Sequence, residues 1–112
     1  MFVKLKHDIV GYKKVYSNPW NRTEPRIVTL IIPAGTWIYY NAYEEKNADY
    51  DLVKFRAAKA YVAKGEGYSG YDRFFRYTPG KIVEPKNPFS KSYDSCANGI
   101  HFYISRQEAL WH

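Results

Sequence analysis

Residues 26–32 read Arg-Ile-Val-Thr-Leu-Ile-Ile, and this run limits the fold more than any other stretch. Ile27, Val28, Thr29, Ile31 and Ile32 are β-branched, which favours a pleated backbone over a helical one. Pro33-Ala34-Gly35 stops the run after too few residues for an ordinary helix. A nearly continuous apolar run of this length predicts a central strand buried on both faces.

The rest of the chain repeats short strand-like segments between Pro and Gly punctuation. Ile9 to Tyr16 predicts a strand, Asn18-Pro19-Trp20-Asn21 a turn, and Thr36 to Tyr40 another strand. Residues 41–51 are polar and acidic and read as a loop or a single helical turn. Val53 to Ala63 alternates, with Ala58, Ala60 and Val62 on one side and Lys59 and Tyr61 on the other, and is assigned as a strand. Lys64 to Gly70 reads as a flexible loop. Short strands follow at Phe74 to Tyr77 and Lys81 to Glu84, with a turn at Thr78-Pro79-Gly80 between them. Residues 85–95 read as irregular. In Ile100-His101-Phe102-Tyr103-Ile104 the period of two puts Ile100, Phe102 and Ile104 on one face and His101 and Tyr103 on the other. Ser105-Arg106-Gln107-Glu108 spells a capping box that opens a short final helix. The expected fold is α+β and predominantly β: an antiparallel or mixed twisted sheet with a short C-terminal helix. At 112 residues the chain, 1–112, has the size of a single domain.

Cys96 is the lone cysteine, so no internal disulfide can form. That fits a reducing compartment. Charges stand at the N-terminus where a signal peptide needs an apolar run, and no stretch has the length of a membrane span. The expected location is the cytoplasm, that of the host cell if the protein is viral, with no membrane partner.

The net charge is +6, made of +4 in residues 1–40, −3 in residues 41–51 and +5 in residues 52–112. A cationic chain concentrates anions such as phosphates and nucleic acid, although solubility alone accounts for a charge of this size equally well. Aromatics are abundant at 12 Tyr, 6 Phe and 3 Trp, and they interleave with the cations. Tyr12-Lys13-Lys14-x-Tyr16, Lys54-Phe55-Arg56, Lys59-x-Tyr61 and Arg73-Phe74-Phe75-Arg76-Tyr77 repeat one theme. A ring that stacks on a base beside a cation that takes a phosphate is what a nucleotide requires. The candidate ligand-binding residues are Tyr12, Lys13, Arg56, Lys59, Tyr61, Arg76, Tyr77, His101 and Tyr103. The test is geometric: the cations must converge on a concavity.

Catalytic signals are weaker. His7, His101, His112 and Cys96 lack the spacing of a zinc site, so no metal or other cofactor is expected. Cys96 and His101 have no third group to orient them as a nucleophile pair. Gly65-x-Gly67-x-x-Gly70 spells a phosphate loop, but no amphipathic helix follows it, so a turn is the better reading. Glu44 and Glu45 read as solvated. No catalytic residue is assigned.

Three segments together resemble a known type of domain: Gly11-Tyr12-Lys13, Tyr77-Thr78-Pro79-Gly80-Lys81-Ile82-Val83, and Cys96-Ala97-Asn98-Gly99-Ile100-His101-Phe102 with its capped helix. They are similar to small uncharacterised domains of bacteriophages and large viruses, some attached to pentapeptide repeats. A remoter likeness is to the split sheet of ADP-ribosyltransferases, which bind NAD between two halves. The chain departs from those enzymes in having no catalytic glutamate on a late strand. The phage-like origin that the resemblance implies, taken with the basic and Tyr-rich character of the chain, gives the leading expectation: a counter-defence protein that sequesters an anionic nucleotide-derived signal without catalysis. Three other classes stay open: an interaction module blocking a host defence protein, an NAD-consuming transferase, and a nucleic-acid binder. A homo-oligomer is compatible with each.

Overall fold

A computed structural model describes residues 1–40, 54–70, 72–87, 89 and 98–111. The acidic segment 41–51 and Cys96 lie outside the described residues. The elements are β1 (Phe2–Lys4), β2 (Ile9–Asn18), β3 (Asn21–Ile32), β4 (Trp37–Tyr40), β5 (Phe55–Ala57), β6 (Ala60–Lys64), β7 (Gly67–Ser69), β8 (Arg76–Tyr77), β9 (Ile82–Val83), β10 (Ile100–Phe102) and α1 (Arg106–Trp111). Among the described residues the fold is predominantly antiparallel β with one short C-terminal helix, as the alternating pattern and the capping box implied. Among the described residues no helix is long and apolar enough to cross a membrane.

The strands form two sheets, ordered β1-β4-β5-β10 and β8-β7-β2-β3-β6-β9. The β2–β3 hairpin anchors the larger sheet, in register from Ile9↔Ile32 to Val15↔Arg26. Its turn forms because the Trp20 amide donates to Asn18 Oδ1 at 2.8 Å, an Asx arrangement that holds the chain in a bend. β3 begins at Asn21, earlier than the apolar run suggested, because pairing with β2 carries the polar residues 21–26 into the ladder. It is not buried on both faces: Val28, Leu30 and Ile32 are buried, whereas Ile27, Thr29 and Ile31 between them are only half-buried.

The core lies where the two sheets meet. Val15, Val28, Leu30, Ile32 and Val62 from the larger sheet form one cluster with Ile38, Ala57, Ile100 and Phe102 from the smaller. Burying each of the larger side chains contributes about 1.5–3 kcal/mol. Phe102 stacks on Phe55 at 5.2 Å and presses against β2 at Gly11, where a Cβ would overlap its ring.

Three further expectations are corrected. The predicted strand from Val53 to Ala63 is two strands, since the chain leaves β5 at Ala58 and enters the other sheet as β6. Unbroken alternation in sequence does not reveal that transfer. The Lys64–Gly70 segment contains β7, which pairs with β2 and β8. Gly67 permits this approach, because a Cβ there would lie 2.6 Å from Val15 Cγ2 and 2.8 Å from the Tyr16 carbonyl oxygen. Ile104 does not join Ile100 and Phe102 in the core but is 55% exposed. Strand geometry ends at the Tyr103 bridge, and the chain bends into α1.

At α1 the Glu108 amide donates to Ser105 Oγ at 3.1 Å. The Ser105 hydroxyl donates to Glu108 Oε1 at 2.9 Å, so the glutamate meets the serine side chain rather than its amide. The helix packs against β2 and β3 and buries Ala109.

Candidate functional site

The site begins with a lysine in an apolar row. On β2, Ile9, Gly11, Lys13 and Val15 share the core-facing side by the period of two, and Gly11 and Val15 are buried. Lys13 stands opposite the fully buried Val28 on β3. Its ammonium lies over the Tyr77 ring, 5.9 Å from the centroid. Burial, and then the charge of Lys54, lowers its pKa from 10.5 to about 8. Burial pushes the Tyr77 phenol upward, so its hydroxyl stays protonated.

The other edge of β2 explains why space opens here. β10 reaches that edge at Tyr12, whose amide donates to the Tyr103 carbonyl at 2.7 Å and whose carbonyl accepts from the Tyr103 amide at 2.8 Å. β7 covers Val15 and Tyr16. Lys13 and Lys14 lie between, where the two sheets part. Two clefts of about 530 and 240 Å³ open at this split, and Lys13 and His101 line both.

The larger cleft is lined by Phe75, Tyr77, Pro85, Asn87 and Asn98 among others, with Lys13, Arg73, Lys86 and Asp72 supplying charge. The Asp72 carboxylate accepts the Phe74 amide at 3.3 Å, which fixes the 72–75 turn. The smaller cleft takes charge from Lys13, Lys14, Arg22 and Lys54, with Tyr16 and Tyr103 as rings. Among the described residues the clefts gather six cations, Lys13, Lys14, Arg22, Lys54, Arg73 and Lys86, against the single carboxylate of Asp72. Like charges held in a concave, partly desolvated site focus the potential on an anion.

Of the residues singled out from the sequence, Lys13, Tyr77, His101 and Tyr103 come together here. The others line neither cleft. Tyr12 sits beneath the Arg106 guanidinium at 5.7 Å. Arg56 is 1% exposed, its guanidinium carbon 4.5 Å from the Tyr39 centroid and 5.0 Å from that of Phe89. Its Nη1 donates to the Asn98 carbonyl at 3.0 Å. Lys59 is exposed in the crossing between sheets. Tyr61 pairs with Ile31 and Ile82 on β3 and β9. Arg76 is bound to Glu66 at 3.2 Å and lies over the Tyr68 ring.

Lys14, Lys54 and Arg73 stood within the interleaved runs without being selected. Arg22 and Lys86 carry no local signal and reach the site through the fold. Among the described residues no cluster of His, Cys, Asp and Glu is arranged to hold a metal ion.

A match to DUF5758, a family of unknown function, runs over residues 1–109. The chain belongs to the DUF5758 family. Every cleft-lining residue of this DUF5758 chain falls within the matched span. No curated protein and no solved structure matches it.

Proposed function

We propose that this protein binds a small anionic nucleotide-derived molecule and sequesters it stoichiometrically. The observation that carries this reading is the convergence, among the described residues, of six cations and one carboxylate on two adjoining clefts at the sheet split. Lysine and arginine take phosphate oxygens by charge-assisted hydrogen bonds. Tyr16, Phe75 and Tyr103, each partly exposed, supply ring surface in the same space. The likeness of the Cys96–Phe102 motif to phage and large-virus domains supports a role in counter-defence, where the ligand is an immune signal of the infected cell. Calorimetric titration of the full chain with linear and cyclic nucleotides and ADP-ribose derivatives tests the reading. Saturable stoichiometric binding without turnover is expected, and no heat with any of them removes it.

A second reading rests on a different surface. Trp20 at the hairpin tip is 71% exposed and meets Phe74, 63% exposed, edge-on at 5.4 Å. An exposed aromatic pair beside Arg73 is the composition of a protein-binding hot spot and favours an inhibitor of a host defence protein. Retention of a defined host protein that is lost in Trp20→Ser and kept in Lys13→Met would favour this surface over the clefts.

A further inference from the structure

The two clefts differ in size and in charge, and that asymmetry speaks to the shape of the ligand. Among the described residues the smaller is lined by Lys13, Lys14, Arg22 and Lys54 and by no carboxylate. Of the larger cleft's three cations, Lys13 is shared, and the carboxylate of Asp72 offsets one of the remaining two, Arg73 and Lys86. Its walls also carry what a nucleoside uses: the ring of Phe75 and the polar residues Asn87 and Asn98. Asp72 supplies an acceptor for a ribose hydroxyl or an amino group of a base.

We infer that the clefts are two subsites for one ligand, a linear nucleoside polyphosphate, with the phosphates in the smaller cleft and the nucleoside in the larger. The inference rests on the anion-binding reading above and adds the ligand's class and orientation. Lys13 and His101, which line both clefts, stand at the junction between phosphate and sugar. Four cations in one small cleft match an anion whose charge is gathered at one end. A cyclic dinucleotide matches them poorly, because its two singly charged phosphates are related by symmetry and present equal charge to both halves of a site.

Calorimetry of the full chain with adenosine mono-, di- and triphosphate, inorganic tripolyphosphate and a cyclic diadenylate tests this. Affinity should rise by about tenfold or more from mono- to triphosphate, since each added phosphate gains charge-assisted hydrogen bonds. In Lys14→Gln/Lys54→Gln that rise should fall to less than about threefold. Asp72→Asn retains the acceptor for the Phe74 amide. It should weaken the three nucleotides and leave tripolyphosphate within about threefold. Circular dichroism confirms that each variant folds, and Lys14→Gln alone replaces the double variant if the latter does not.

Tighter binding of the cyclic diadenylate than of the triphosphate would overturn the two-subsite inference while leaving the anion reading standing. So would an equal loss for every probe in both variants. No binding of any probe would remove both.

Discussion

The Lys13 ammonium lies 5.9 Å from the centroid of the Tyr77 ring, at the mouth of the split between two sheets. A cation in the apolar row of β2 works against stability, because burial and Lys54 both disfavour its charge. Its folded pKa of about 8 is below the ordinary 10.5, so between these values the unfolded chain binds more protons and stability rises with pH. Below pH 8 the lysine is charged in both states and the full cost is present. Lys13→Met should therefore stabilise the protein at pH 7 by about 1–2 kcal/mol, less any lost attraction to Tyr77. Denaturant melts at pH 7 and pH 10.5 check this, with the advantage gone at the higher value. A variant less stable at pH 7 would contradict it.

Anion binding should follow the same proton. A bound phosphate favours charged Lys13 and raises its pKa above 8, so binding takes up protons as the solution becomes more basic. Affinity should fall by up to about tenfold per unit above pH 8. Lys13→Arg keeps its charge and should flatten the profile. Titrations from pH 7 to pH 9.5 distinguish the two.

The aromatic surround of Arg56 makes that residue structural. Its guanidinium packs over Tyr39 and Phe89 and holds the Asn98 carbonyl. Asn98 in turn lines the larger cleft. Arg56→Leu leaves that carbonyl without this donor and should cost about 1–3 kcal/mol. Arg56→Lys should recover only part of the loss, because an ammonium lacks the planar fork. Thermal denaturation of both variants measures it.

Much of this architecture was legible in the sequence. The turn between β2 and β3 could be read because Asn18-Pro19 favours a bend, and the final helix because Ser105 and Glu108 stand three apart. The crossing at Ala58 could not, since one alternation runs through two strands in different sheets. β7 was hidden because Gly65 and Gly67 look like loop residues, and only the approach to Val15 explains the glycine. The site was half legible. Lys13 interrupts an apolar period of two, and His101 and Tyr103 occupy the non-core face of their strand. The same interleaved pattern also marked Arg56 and Arg76, which the fold commits to an aromatic surround and to Glu66. Local pattern cannot tell a cation aimed at a cleft from one already partnered, nor show that Arg22 and Lys86 converge from distant segments.

Gly11 sets the spacing between β2 and Phe102. Gly11→Ala would place a methyl group inside the Phe102 ring, a side chain 0% exposed. The ring must shift, and the cost should be about 1–3 kcal/mol. A companion Phe102→Leu should relieve part of it, which a double-mutant cycle of denaturant melts would show as coupling.

The central claim is that the split between the sheets is where an anionic nucleotide binds. Backbone amide shifts of the full chain, followed by NMR during titration with adenosine triphosphate at pH 7, test it most directly. The account predicts saturable shifts concentrated at Lys13, Lys14, Gly70, His101 and Tyr103, with Lys59, Tyr61 and Ile82 unmoved. Shifts centred on Trp20 and Phe74, or on Tyr61 and Ile82, or no shifts at millimolar ligand would contradict it.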